Sequence, residues 1–578
     1  MTHHRSVLSH WQTLVLVFLI TACSSDATKL SSPDTTASST CSASSASALV
    51  PGQVTTPLSG TSLCVGGGSG GAEYALVAFN GSTVPTATAS VVLQSNGTSA
   101  PSSSILTNVI ASRTLAIDLS GSGASALASE ADVGGFHARL RATESGVLTR
   151  LIPGARRAVA ARQSGSAVLR DVIPSSVQVG QFLRLNTNAD SACTDPSYSI
   201  GRVVAVTSKA IVVADTANPA GGYTDAEYQS IAVTFDTLVD PLDTKNFGQP
   251  SDIDGNGHVV LFFTRSVNAL TPAGSSSYIG GFFFARDLFP TSSTSDFEGC
   301  ASSNYGEMFY LMVADPSGTI NGNARSKSMV TTSTIGTVAH EYQHLINAAR
   351  RMYVNTSATS FEEVWLNEGL SHVAEELLFY AQANLQPRQD LDATLLRSSQ
   401  TYISAFNSDA SANLGRFREF LVAPATSSPY ADNDSLSTRG ATWSFLRYAV
   451  DRQGTTDSNM WYQLVNSSMT GLDNLQQVFG TGLAALFRDW ATSALSDDVA
   501  GVATTYQQPS WNFRSIYDAS SGSYPLNTVS LTAGSTTTLT ADGGSAAYAR
   551  FSVANGGAGQ VVWGALPSNV QLTLVRMK

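Results

Sequence analysis

The chain is 578 residues long, with 43% apolar residues and only 13% charged ones. That length exceeds the roughly 250–300 residues that one hydrophobic core fills, so several domains are expected, and the apolar content excludes disorder throughout. The formal charge is -11, from 32 Lys+Arg against 43 Asp+Glu, and no long basic run interrupts it, which argues against nucleic acid as a partner.

Residues 1–10 carry one Arg, Arg5, and no acid, and residues 11–20 (WQTLVLVFLI) are apolar. Such a stretch is too short to span a bilayer and has the length of a signal-peptide core. It runs into Leu19-Ile20-Thr21-Ala22-Cys23, which resembles the lipobox of bacterial lipoproteins. The resemblance implies a signal peptide over 1–22, lipidation of Cys23 (palmitate or a similar acyl chain) and anchoring to a membrane by acyl chains alone. Ser24 rather than Asp after the Cys implies an outer-membrane or cell-surface lipoprotein, if the source is Gram-negative. Residues 23–50 are nearly all Ser, Thr, Ala and Asp, too poor in large apolar groups to order themselves, and read as a flexible tether.

The four remaining cysteines, Cys41, Cys64, Cys193 and Cys300, are even in number and suit an oxidising compartment. Proximity favours Cys41–Cys64 and Cys193–Cys300 among the three possible connectivities.

Over 51–135, apolar runs such as EYALVAF (73–79) and ASVVLQ (89–94) lie between Gly, Asn and Ser clusters, the pattern of a small β-sandwich domain. Residues 136–178 read as a helical connector with a solvated basic face (Arg139, Arg141, Arg150, Arg156, Arg157), or else as a processing site. An α/β unit follows: 201–215 (GRVVAVTSKAIVVAD) reads as a hairpin and 258–264 (HVVLFFT) as a buried strand. Before that strand, Asp252, Asp254 and Asn256 match the first half of a calcium-binding loop, whereas its twelfth position is Phe263 instead of Glu. A tight turn into the strand is therefore expected, with Ca²⁺ a secondary candidate ligand. From about 333 to 500 the pattern is helical, and 521–578 reverts to short strands as a further small β module.

The chemistry is carried by TSTIGTVAHEYQHLINAARR (332–351), whose apolar residues recur at helical spacing, with Ser333 or Thr334 available as cap. His340 and His344 then share one face, where two imidazoles can bind Zn²⁺, and Glu341 between them is placed as general base. With eight His in the chain, the chance count of such a spacing with an intervening acid is roughly 0.01. Asn347 and Arg350 occupy the positions where metzincins place Gly and a third His, which excludes that class. Ser360 and Glu363 suggest a capping box before a second helix, FEEVWLNEGLSHVAEELLFY (361–380).

The segment Trp365-Leu366-Asn367-Glu368-Gly369 resembles the WLNEG segment of gluzincin metallopeptidases, whose Glu is the third zinc ligand, and so implies that role for Glu368. The closer resemblance is to the hyicolysin family of bacterial metallopeptidases, through HEYQHLIN (340–347) and WLNEGLSHVAEEL (365–377), over roughly 179–520 and including DIDGNG (252–257), GFFFARDLF (281–289) and EMFY (307–310). It implies an α+β core with a mixed β-rich N-lobe and a helical C-lobe, flanked by small all-β domains, and a zinc-dependent hydrolase of peptide bonds. Where thermolysin-like relatives have NExxSD, the final position here is His372. Its role is therefore open: Glu375 or Glu376 are candidates to orient a ligand His, and His372 is itself a candidate ligand. Arg439-Gly440-Ala441 resembles a gluzincin aminopeptidase helix start, but Tyr430 is too far upstream to align and reads as an ordinary surface tyrosine. No terminus-binding motif is recognisable, which favours a monomeric endopeptidase acting on proteins or peptides over an exopeptidase. The competing class is a non-catalytic surface adhesin that keeps the fold, against which the intact Glu341 argues.

Overall fold

The structure, a computed structural model, describes residues 41–101, 130–165, 172–275 and 277–578. The expected signal peptide, Cys23 and most of the tether lie outside the described residues. No helix among the described residues is long and apolar enough to cross a membrane.

At the centre is a six-stranded sheet in the order Phe182–Asn186, Tyr198–Val206, Ala210–Asp215, Val259–Phe263, Met308–Leu311, Gly281–Phe283. The expected hairpin forms between the second and third of these strands. Val259–Phe263 lies parallel to both its neighbours and is buried at every position, which is why it reads as an unbroken apolar run. Gly281–Phe283 is the antiparallel edge strand. A Cβ on Gly281 would stand 2.7 Å from the Tyr310 carbonyl oxygen and 2.9 Å from Thr337 Cγ2, so only glycine lets the helix Lys327–Ala349 lie this close to the edge.

That helix starts earlier than expected: its cap is Ser326, whose side chain accepts from the Met329 N–H, while Thr334 Oγ1 donates back to the Val330 carbonyl within the helix. The second helix, Val364–Ala383, lacks the expected capping box. Competing partners take its acids: Glu362 binds Arg351 and the Gly471 N–H, and Glu363 accepts from Trp365 Nε1. Glycine again sets the packing, because a Cβ on Gly369 would fall 2.4 Å from Thr442 Cγ2 in the helix Leu436–Val450. The WLNEG helix can therefore press directly against the helix that carries Arg439.

The two flanking β stretches, expected as separate modules, form one sandwich. One sheet runs Val54–Thr55, Val570–Arg576, Ala72–Asn80, Ala546–Val553, Val529–Ser530, and the other runs Thr536–Ala541, Ala89–Asn96, Ala558–Trp563, Ser62–Gly66. Each stretch alone would leave unpaired strand edges, and mutual pairing removes them. Ala72–Asn80 is buried throughout: Tyr74, Leu76 and Ala78 face the sandwich core, while Ala75, Val77 and Phe79 face the main core. Disulfides join Cys41 to Cys64 and Cys193 to Cys300.

The basic segment is not a solvated connector. Its helices, Glu130–Thr143 and Thr149–Gln163, are joined by a π turn over Glu144–Leu148. Arg141 is 3% exposed. Arg156 donates to the carbonyls of Arg351, Met352, Thr356 and Ala358.

Candidate metal centre

His340 and His344, both buried on one face of the helix Lys327–Ala349, bring their Nε2 atoms to 3.1 Å of each other. Glu368, on the facing helix, places Oε2 3.5 Å from His340 Nε2 and Oε1 3.5 Å from His344 Nε2. The three residues offer ligand atoms within 4.8 Å of one another. Two imidazole nitrogens and one carboxylate oxygen are the donor set of a three-ligand zinc site with a further position open. Glu368 is fully buried, and its Oε2 takes no hydrogen bond among the described residues, although Arg439 Nη1 lies 3.1 Å away off the bonding direction. A buried carboxylate oxygen in that state gains from a directly bound cation.

The electrostatics favour the ligating forms of Glu368 and His344 but not that of His340. Burial works against the charged form of Glu368, but the Arg439 guanidinium leads the effects that outweigh it and hold the carboxyl well below its ordinary range. Burial, helped by Arg141, pushes His344 down to about 3, leaving it in the neutral form that ligates metals. Burial also works against the charge on His340, yet the neighbouring carboxylates of Glu368 and Glu375 raise it to about 9.

Of the candidates for orienting a ligand, Glu375 is in place: its Oε1 lies 2.8 Å from His340 Nδ1 and 3.2 Å from His372 Nδ1, and its Oε2 accepts from Arg416 Nη1 at 2.9 Å. A carboxylate on the rear nitrogen fixes the tautomer and leaves Nε2 free for the metal. Glu376 is not at the site; it accepts from Trp511 Nε1 at 2.6 Å and faces Arg447. His372 stands beside His340, with ring centroids 4.9 Å apart, and with His340 and Glu375 makes a second close group. Both groups draw on His340, and only the one containing Glu368 also takes in His344. Ser371 Oγ donates to Gln343 Oε1 at 2.6 Å and lies 3.0 Å from His344 Nδ1.

Glu341 is 3% exposed, and its Oε2 accepts from the Phe283 N–H of the edge strand at 2.8 Å. Burial raises its carboxyl above the ordinary range, which makes it a better proton acceptor than an exposed carboxylate.

Three buried groups at the site were missed. Arg439 is clamped by Asp434 through Nε and Nη2, each at 2.6 Å, which turns Nη1 toward Glu368. Arg141 places Nε 3.4 Å from Glu368 Oε1. His137 has a buried Nδ1 without a partner among the described residues and feels the charges of Glu368 and His340. The Arg439-Gly440-Ala441 motif was a signal for the first; nothing in spacing marked the other two. Tyr430 is 5% exposed rather than superficial, and its hydroxyl donates to the Ser82 carbonyl, away from the ligands.

The tight turn expected before the strand forms, and it draws Asn256 away from a calcium-ligand role. Asn256 donates its side-chain amide to Asp254 Oδ2 at 2.6 Å, and the Gly257 N–H is bonded to Asp252 Oδ1, which is the closed turn. Asp252 and Asp254 approach Glu307 instead, and Glu307 accepts from Ser251 Oγ and the Ile253 N–H.

No protein-family model matches the chain. The chain is similar to the neutral metalloprotease ShpI of Staphylococcus hyicus, at 32% identity over 165 residues. That match spans 28% of this chain and 33% of the relative, and on this partial similarity, together with a His/Glu group suited to a metal, the chain is similar to metallopeptidases.

Proposed function

We propose that this chain is a zinc-dependent endopeptidase of the hyicolysin-like, gluzincin type, exported and anchored through Cys23 to an outer membrane or cell surface. The observation that carries the reading is the convergence of His340, His344 and Glu368 within 4.8 Å with Glu341 fixed beside them. A zinc ion held by those three residues would polarise the scissile carbonyl and acidify a water next to it.

The chain's own groups supply the rest. Glu341, aligned by the Phe283 N–H and raised by burial, takes the water's proton and delivers it to the leaving amine. Glu375 holds His340 in register, and Ser371 Oγ lies 3.0 Å from Nδ1 and 3.3 Å from Nε2 of His344. Arg439, immobilised by Asp434, keeps a guanidinium nitrogen 3.1 Å from the ligand carboxylate and so holds that carboxylate ionised.

The test is casein hydrolysis by the chain from Ser24 onward, before and after treatment with 1,10-phenanthroline and after zinc is restored. Loss on chelation and recovery with zinc support the reading. Cleavage indifferent to the chelator contradicts it, and bound zinc with no cleavage of any peptide favours a binding role.

A further inference from the structure

We propose that the helix Glu130–Thr143 is a built-in cover that closes the metal centre to peptide and must move aside for turnover; this rests on the peptidase reading above. The face of this helix toward the centre is spent on the site. Arg141 Nε lies 3.4 Å from Glu368 Oε1, and its Nη1 donates at 2.7 Å to Glu144 Oε2. The other oxygen of Glu144 accepts at 2.8 Å from the N–H of Ala285, just past the edge strand Gly281–Phe283. Phe136 packs edge-on against Phe282 of that strand, with ring centroids 5.3 Å apart.

An extended peptide approaching Glu341 would have to run beside the strand Gly281–Phe283, whose Phe283 N–H is held by Glu341. Phe136, Arg141 and Glu144 already occupy that approach. The fit is also incomplete: Arg141 Nη2 and His137 Nδ1 are buried with no partner among the described residues. Arg141 adds a second guanidinium to that of Arg439 at the carboxylate that would hold a dication, so metal loading and closure of the cover oppose each other.

The two halves of the segment differ in how they are held. Thr149–Gln163 is fastened by the four carbonyl bonds of Arg156 and by Ile152, Ala155 and Ala158 in the core. The first half carries Gly134 and Gly135, which weaken a helix from within. The π turn over Glu144–Leu148 separates the two halves and is where the helical bonding changes step.

The test loads the chain from Ser24 onward with Co²⁺ and titrates it with acetohydroxamate, following the visible spectrum, beside casein cleavage by the zinc form. Phe136→Ala, which touches neither a ligand nor a charged pair, and the double variant Arg141→Ala/Glu144→Ala are compared with the unaltered chain. The expected result is hydroxamate affinity and cleavage both at least tenfold higher in the variants. Phe136→Ala keeps the test valid if the charge variant fails to fold. Affinity unchanged in the variants, or no hydroxamate bound by any chain, overturns the cover. Affinity that rises while no chain cleaves casein leaves the cover standing and removes the peptidase reading.

Discussion

Glu375 stands behind His340, its Oε1 2.8 Å from the Nδ1 of the ring whose Nε2 faces Glu368. Arg416 secures the same carboxylate from the other side at 2.9 Å. Outer-shell partners of this kind typically contribute about 10–100-fold to metal affinity. Glu375→Ala is expected to weaken zinc binding by roughly that factor, read by competition with a zinc indicator, whereas Glu376→Gln, which alters the bond to Trp511, leaves zinc affinity unchanged.

The contact between Gly369 and Thr442 makes a second expectation. A methyl group on Gly369 would meet Thr442 Cγ2 at 2.4 Å, and overpacking of this type costs about 1–3 kcal/mol. Gly369→Ala should lower the midpoint of urea unfolding accordingly. Combined with Thr442→Ala it should recover part of the loss, a coupling that separates a steric cause from a change in helix propensity.

The sandwich yields a third. Ala546–Val553 pairs with Ala72–Phe79, so removing residues 521–578 strips a partner from both sheets. Such a truncation is expected to open the N-terminal strands to limited proteolysis near Ala72–Asn80. Two independent modules would instead leave the N-terminal strands as resistant as before.

Glu307 provides a pH dependence. Burial, reinforced by the nearby Asp254, raises its carboxyl to about 8 from an ordinary value of 4.5. The folded state therefore holds a proton that the unfolded chain releases above pH 4.5. Stability from this group is fully present below that value, falls as pH rises, and is lost by about 8. Glu307→Gln, which keeps an acceptor for Ser251 and Ile253, should flatten that slope in thermal unfolding measured across the same pH range.

Much of the site was legible because it is local. His340, Glu341 and His344 lie within one helical turn and a third, and Glu368 sits in a short motif on the next helix, so periodicity and spacing carry the information. The helix starts were misread because side-chain bonds made at long range, such as Arg351 to Glu362, outbid the local caps. The sandwich was illegible as one unit because its pairing joins strands at opposite ends of the chain, as in Leu76 opposite Ala549. Arg141 reads in sequence as one more charge in a basic run; only the fold brings it to Glu368.

The central claim is that His340, His344 and Glu368 hold the metal while Glu341 moves the proton, and the most direct test separates the two roles. Zinc content and casein cleavage should be measured together on the chain from Ser24 onward, on Glu341→Gln and on Glu368→Ala. The account predicts that Glu341→Gln keeps its zinc and loses cleavage by at least about 10²-fold, while Glu368→Ala loses both. Full cleavage by Glu341→Gln, or undiminished zinc in Glu368→Ala, would contradict it.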